Sequence, residues 1–270
     1  MTKLNAWLAA LLLLNISISV SAEPEKITPF ELGVEQYNNE EYTQAYQSLS
    51  KAASKNNDQA QFLVGHMALF GIGTEAQPKK AFAWLTQSAE AGNPNAQSYM
   101  GTIYLQGKIT PKDDKEAAKW LLLAAQNGIA EAQNNLAHLF INGQGVEPSA
   151  EQAFKWFKKA SKQGITDAKL SLGLMYEQGI YVEKNYSKAA ELYQTAAKKG
   201  APQGMHNIGM MLLEGRGFKK DTEKACNFFT TAAKLGFQDS IENLNLLISQ
   251  KICQPIEMSA HQGQAGFNAL

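Results

Sequence analysis

The sequence has only one arginine, Arg216, and its 25 basic and 25 acidic side chains leave a formal net charge of zero. Proteins that bind nucleic acid need a basic face, and arginine is the side chain that pairs bidentately with phosphates and bases. The two cysteines are too few for a disulfide-dense scaffold or for a zinc site of four thiolates. The composition therefore argues against a nucleic-acid partner and against a fold held together by a metal or by many disulfides.

Long hydrophobic runs are also missing, since no segment after the N-terminus approaches the 18 apolar residues typical of a membrane-spanning helix. The N-terminus itself has Lys3, an apolar run over Trp7–Leu14, and the small residues Val20-Ser21-Ala22, a pattern typical of a secretory signal. The apolar run covers about 12 Å of helix, too short for an anchor. We therefore predict a signal peptide over residues 1–22 and an exported, not membrane-spanning protein, periplasmic or secreted.

Small and bulky residues recur along the chain at a spacing of 36. A spacing kept without insertions indicates a repeat array. The five units are predicted to begin at Ala60, Ala96, Ala132, Ala168 and Gly204 and to fill residues 60–239. The recurring residues are the glycines Gly71, Gly107, Gly143, Gly179 and Gly215, the alanines Ala81, Ala117, Ala153, Ala189 and Ala225, and the bulky series Trp84, Trp120, Trp156, Leu192 and Phe228.

Each unit is predicted to form two helices. In the second unit, a first helix runs from Ala96 to Tyr104, and a second helix runs from Lys115 to Gln126. Asp113 and Asp114 precede the second helix, where an N-cap and a first-turn acid are favourable. Because one hairpin cannot bury its apolar face alone, neighbouring hairpins are expected to stack into an all-α solenoid.

The pattern A-x-x-x-[LM]-G-x-x-Y-x-x-G followed by K-x-A-x-x-W-x-x-x-A-A-x-x-G resembles the Sel1-like repeat. That repeat is a relative of the tetratricopeptide repeat with a longer loop between its helices. The resemblance implies a right-handed α-solenoid and a non-enzymatic role without cofactors, as an adaptor, a regulator of envelope signalling or a factor contacting other cells. The third unit departs from the pattern with Ala137, where the other units have Gly65, Gly101, Gly173 and Gly209.

The segments beside the repeats are predicted to be caps. Residues 23–59 contain a tetratricopeptide-like hairpin, and residues 240–253 resemble a first helix without its partner. Residues 254–270 are rich in glutamine, glycine and alanine and are expected to be loose. Cys226 and Cys253 are expected to meet where the terminal half-repeat packs on the last full unit, so we hypothesise one disulfide; two buried free thiols are the alternative.

No catalytic or metal site is predicted. Ser48 and Lys51 form an isolated S-x-x-K match without the companion S-D-N and K-T-G motifs, on a helix rather than beside a sheet. His66 and His138 are two units apart, too far for one metal ion. Three Gly-x-Gly pairs follow helices rather than strands, so they are interpreted as turns.

The first helices are instead predicted to form a binding groove. In tetratricopeptide-like arrays these helices line the concave surface, and many of the corresponding residues here are apolar, beside amides and histidines. Such a strip favours a protein or peptide partner. A tighter superhelix that buries these residues is the alternative, and a glycan-acting enzyme or glycan binder, or a structural subunit of an envelope machine, are alternative functions. The predicted groove residues are Phe62, His66, Leu69, Phe70, Thr102, Asn134, His138, Leu170, Leu174, Glu177, His206 and Met210.

Overall fold

The computed structural model describes residues 27–254, which form thirteen α-helices and no strand within that range. The predicted signal peptide and residues 255–270 lie outside the described residues. Consecutive helices pack as antiparallel hairpins that stack into a right-handed α-solenoid. The helices are α1 (Pro29–Asn38), α2 (Tyr42–Ala53), α3 (Asp58–Phe70), α4 (Pro78–Glu90), α5 (Pro94–Gln106), α6 (Asp114–Gln126), α7 (Ala130–Asn142), α8 (Ala150–Lys162), α9 (Thr166–Gln178), α10 (Tyr186–Lys198), α11 (Pro202–Glu214), α12 (Thr222–Lys234) and α13 (Gln238–Ser249).

The first helix of the second unit, α5, begins two residues before its predicted start at Ala96. The side chain of Asn93 accepts hydrogen bonds from the backbone N–H groups of Asn95 and Ala96, both at 3.1 Å, and Pro94 occupies the first helical position. Both features favour a helix start at that point. The prediction placed the start at the first periodic apolar residue and missed the cap before it. The second helix, α6, is capped by Asp113 as predicted.

Tight helix contacts set the spacing within each hairpin. An added Cβ on Gly101 of α5 would lie 2.5 Å from Cγ of Leu121 on α6, much closer than real Cβ atoms come. The same relation joins Gly65 to Leu85 and Gly209 to Phe229. The repeated alanines are fully buried as well. Only small residues therefore fit where the paired helices cross.

A recurring polar contact joins each of the first four units to the preceding second helix, whereas the fifth unit has Met205 at this position. The side-chain amides of Gln61, Gln97 and Gln133 donate hydrogen bonds to the carbonyls of Ala53, Ala89 and Ala125, which lie near the ends of the preceding second helices. Lys169 occupies the equivalent position and donates to Ser161 instead. Each of these carbonyls lies in the last turn of its helix and also accepts a hydrogen bond from the backbone N–H three residues later, so the side chain uses its second acceptor site. The recurrence of glutamine at a spacing of 36 was a readable signal that the sequence analysis missed.

The loops between the paired helices confirm the interpretation of the Gly-x-Gly pairs as turns. Gly145 has a φ of 69° and packs under the backbone carbonyl of Asp114, where a Cβ would collide. Gly217 packs in the same way on Tyr186. Tyr181 holds the equivalent position in the fourth unit with a φ of 65°, which is unusual for a residue with a side chain.

The C-terminal end of the solenoid is cross-linked. Helix α13 packs against α12, and the structure pairs Cys226 of α12 with Cys253, which follows α13, in a disulfide. Their Cα atoms lie 5.6 Å apart, a separation typical of disulfides. The bond encloses the whole terminal half-repeat, so it constrains the last element of the stack.

We predict that Gly101→Ala destabilises the protein by about 1–2 kcal/mol, although alanine is the better helix former. The added methyl group would collide with Leu121, and the resulting overpacking outweighs the gain in helix propensity. Urea unfolding of both proteins measures the change. The neighbouring Thr102→Ala is the control, expected to change stability by less than about 0.5 kcal/mol. A more stable Gly101→Ala protein would contradict the close approach.

We predict that the protein, purified under oxidising conditions and denatured without reductant, has no thiol that reacts with maleimide. Labelling of two thiols would contradict the disulfide. Replacing Cys226 and Cys253 by serine should lower the free energy of unfolding of the C-terminal end by about 3–4 kcal/mol, the loop-closure entropy expected for a loop of this size. Hydrogen exchange in α13, compared with α5 as an internal reference, shows whether the loss is local.

Candidate binding groove

The first helices of the units lie side by side along one face of the solenoid. Helices α5 and α7 touch directly although α6 separates them in the chain. Elements of a curved stack approach most closely on its inner side, so this contact supports the predicted placement of the first helices. We call the predicted groove residues on these helices the inner row. Their exposure differs greatly from one unit to the next.

An aromatic cluster forms the N-terminal part of the inner row. It consists of Phe62, His66 and Phe70 on α3 and Tyr99 on α5. The His66 ring centroid lies 4.8 Å from that of Phe70 and 5.6 Å from that of Tyr99. His66 is only 6% exposed, and burial lowers its pKa from 6.5 to about 4. The expectation of a free side chain is therefore wrong at His66, whereas Phe70 is 57% exposed.

A hydrogen-bonded carboxylate lies at the centre of the row. Asp167 Oδ2 accepts a hydrogen bond from Asn134 Nδ2 at 2.8 Å and lies 2.8 Å from His138 Nε2. The hydrogen bond from His138, supported by the one from Asn134, lowers the pKa of Asp167 although burial opposes the shift. Asn134 is buried, whereas the Asp167 side chain remains 56% exposed. The sequence analysis missed Asp167, which belongs to the next unit along the chain.

Thr102 lies between these two regions and is half-buried. Its hydroxyl donates a hydrogen bond to the carbonyl of Ser98, one turn earlier in α5, at 3.1 Å. Leu69 and Leu170, at other positions of the row, are partly buried against the core clusters of the second and fifth units. These three side chains contribute to the floor of the row and expose little surface.

A cleft of about 480 Å³ opens between α9 and α11. Three residues of the inner row, Leu174, Glu177 and Met210, line it together with Arg216. Glu177 forms an ion pair with Arg216 and accepts a hydrogen bond from the Tyr193 hydroxyl at 2.7 Å. Its charge is therefore compensated within the protein. Leu174, which lines the cleft, is 43% exposed.

The last helix extends the inner row beyond the predicted residues. His206 Nδ1 lies 2.8 Å from Ser240 Oγ of α13, and burial lowers the pKa of His206 against the opposing charge of Asp239. Leu246 of α13 follows Met210 at the same spacing of 36 and is 55% exposed. Extending the period into the half-repeat would have identified Leu246 from the sequence.

Along the inner row, polar side chains are held by contacts with other residues of the protein. Ser240, beside His206, is fully buried and cannot reach a substrate. Among residues 27–254, no group of three or more histidine, cysteine or acidic side chains could hold a metal ion. Over the same range, none of the helices is long and apolar enough to span a membrane. What the inner row presents is a set of exposed apolar side chains beside oriented polar groups.

We predict that acid weakens the protein through His66. Below its unfolded pKa near 6.5, His66 takes up a proton in the unfolded chain, whereas the folded protein resists it down to about pH 4. The folded state therefore loses up to about 3 kcal/mol of stability as the pH falls through this window. Urea unfolding of wild type and His66→Asn from pH 7 to pH 4 should show the wild type losing more. Parallel pH profiles would contradict the shift.

Comparison with known proteins agrees with the fold. The Sel1 repeat matches residues 58–93, 94–129, 130–165, 166–200 and 202–237. No curated protein matches the chain. A Sel1 repeat protein from Oxalobacter formigenes is 26% identical with a TM-score of 0.79, over 89% of this chain and 99% of that one.

A second solved structure is c5321, a protective antigen of uropathogenic Escherichia coli that displays an SLR fold. It is 28% identical with a TM-score of 0.74, and the match covers 83% of this chain and 49% of c5321. The chain thus spans about half the length of that protein. With five matched repeats and this structural similarity, the chain belongs to the Sel1 repeat family, whose members are generally scaffolds for protein–protein interactions.

Proposed function

We propose that this protein is a non-enzymatic adaptor or regulator of the bacterial cell envelope, which captures a protein or peptide partner on its inner row. The observation that carries the proposal is the alignment of exposed apolar side chains on the first helices. Phe70, Leu174 and Leu246 belong to three different units and lie on this face, where no neighbouring hairpin covers them. Exposed apolar side chains that share one face with polar groups are typical of interaction sites.

The inner row is also held in place before any partner arrives. Rings of the aromatic cluster join α3 to α5, the bonds of Asp167 join α7 to α9, and the bond between His206 and Ser240 joins α11 to α13. A preorganised surface loses less conformational entropy on binding than a flexible one. Capture by shape and burial therefore needs no covalent step and no cofactor.

Placement in the envelope rests on the predicted signal peptide. If residues 1–22 direct export, the partner is met in the periplasm or outside the cell. A glycan-acting enzyme is the less favoured function, because it would need an exposed nucleophile and base or converging free carboxylates. Here the serine beside His206 is buried, and Glu177 is paired with Arg216.

A flank of the solenoid is the second candidate surface. Leu122 on α6 and Leu235, the C-cap residue of α12, are exposed and belong to the second helices, not to the inner row. A structural subunit that binds its neighbour through a flank would use these residues. They therefore provide a matched control for the groove.

We predict that Phe70→Asp combined with Leu174→Asp lowers retention of the partner from an envelope extract by at least tenfold. The two apolar side chains would be buried against the partner in the complex, and the variant places charges there instead. Both residues are exposed, so helicity and melting should stay unchanged. Phe62 is unsuitable because it packs between two hairpins. Immobilised wild type and variants are compared by quantitative mass spectrometry.

The control for this capture is Leu122→Asp with Leu235→Asp, which should retain the partner as the wild type does. Equal retention by wild type and groove variant would contradict the groove. Loss with the control variant alone would place the interface on the flank. Retention of cell-wall fragments in place of a protein would favour the glycan alternative.

A further inference from the structure

Charged side chains are divided unevenly between the two sets of helices. The first helices of the five units carry five carboxylates and one lysine: Asp58, Glu131, Asp167, Glu177, Glu214 and Lys169. The second helices carry twelve lysines and six carboxylates. The formal charge of zero thus hides an acidic inner face and a basic outer face.

The cations nearest to the inner face are already engaged. The Lys169 ammonium donates to the carbonyl of Ser161 at 3.0 Å, and is thereby held toward the preceding second helix. Arg216 pairs with Glu177 and with Glu214, and its Nε lies 2.6 Å from Glu214 Oε2. These contacts compensate charges at the loop end of the cleft, where Lys184 also lies. At the other end of the helices, the carboxylates have no lysine or arginine partner among the described residues, and Asp167 contacts only His138 and Asn134.

What we call the acidic rim consists of Glu131 and Asp167, together with Asp239 and Glu242 of the terminal helix α13. Asp58 of α3 is not part of it and accepts a hydrogen bond from Asn93 at 3.1 Å. Glu131, Asp167 and Asp239 hold equivalent positions in α7, α9 and α13, because they are separated by 36 and 72 residues. Asp167 is oriented by Asn134 and His138 from the neighbouring unit and still exposes more than half of its side chain. The rim positions therefore lie along the inner face on α7, α9 and α13, whereas α11 has Gln203 at the equivalent place.

An apolar strip runs parallel to the acidic rim. Leu174, Met210 and Leu246 hold equivalent positions in α9, α11 and α13, two turns beyond the rim positions. Leu174 and Met210 line the cleft, and Leu246 continues their line on the last helix. Methionine adapts its shape to different apolar partners.

Acidic residues in the first turn of a helix also stabilise that helix through its dipole. This effect accounts for Glu131, Asp167 and Asp239, which are first-turn residues. It does not account for Glu242, which lies one turn further on. It also does not account for the hydrogen bond from Lys169 to the carbonyl of Ser161, which holds this lysine away from the inner face. The apolar strip beside the rim also has no role in a helix dipole.

From charge complementarity, and resting on the proposed function, we propose that the partner of the inner row is a cationic segment with apolar side chains. Its lysine or arginine residues face the acidic rim, and its apolar residues cover Leu174, Met210 and Leu246. The basic second helices repel the same segment, so the charges direct it to one face of the solenoid.

The test uses a labelled helical peptide of about 18 residues, about five turns, built from leucine and lysine on opposite faces. A matched peptide has glutamate in place of every lysine. Fluorescence anisotropy with the purified protein at low salt should show at least tenfold tighter binding of the lysine peptide. Equal affinity for the two peptides would overturn the proposal.

Three variants separate the inner face from general electrostatics. Asp167→Asn with Asp239→Asn and Glu242→Gln should weaken binding of the lysine peptide about tenfold. Glu90→Gln with Glu191→Gln and Glu223→Gln removes the same charge from second helices and should change binding less than about twofold. Leu174→Asn with Leu246→Asn should weaken it about tenfold without altering charge. Equal effects of the two charge variants, or an inert Leu174/Leu246 variant, would overturn the proposal. Melting curves of every variant verify the fold.

The outcome is distinguishable from a failure of the proposed function. If the groove variant loses its partner in the capture experiment but the lysine peptide does not bind, the groove stands and the cationic partner is refuted. If capture does not depend on the inner row, the proposed function fails whatever the peptide does. Competition of the lysine peptide with the captured partner links the two results, and only displacement supports the proposal.

Discussion

The contact between a small residue on each first helix and a large residue on its partner helix determines the rest of the structure. Gly101 against Leu121 is the clearest example, and Gly65 against Leu85 repeats it. A shared hairpin geometry lets identical units stack with a constant rotation, so that equivalent positions share one environment. The core uses the glycine, alanine and bulky positions of each unit. Within the inner row, positions such as Phe70 and Leu174 are left exposed by this packing, whereas His66 and Asn134 are buried by it.

Most of this fold could be predicted from the sequence because its rule is local and repeated. The period of 36 fixed the number of units, and Asp113 marked the start of a second helix through its capping side chain. The predicted start of α5 is two residues late, because the helix is started by Asn93 and Pro94, which do not belong to the apolar period. The glutamine bonds between hairpins were missed for a related reason. A polar side chain on an apolar helix is readable only when its recurrence is noticed.

The inner row was harder to predict, because exposure there depends on residues of the next unit. His66 and His138 hold equivalent positions, yet His66 is buried and His138 is half-exposed. Tyr99 lies 33 residues after His66, and its ring covers the His66 ring. Ser171 lies 33 residues after His138 and is too small to cover that ring. His138 instead meets Asp167. The sequence supplied the positions of the row, whereas three-dimensional packing decided which of them remain open.

The charges of the protein show that composition alone does not describe the surface that a partner meets. A net charge of zero suggests a surface without electrostatic preference, but a partner experiences the local field of the face that it approaches. In a solenoid the two helices of each unit are sorted onto opposite faces, so a small bias in each unit adds up along the array. The lysines of the second helices are solvated and help to keep that face soluble. The first helices cannot carry many charges, because they contact the next first helix, as α5 contacts α7. Of the carboxylates that they do carry, Glu177 is largely buried and paired with Arg216, whereas Asp167 lies at the edge of the inner row and stays exposed. Asp167 shows this arrangement most fully, since packing orients it from one side and leaves its other side open.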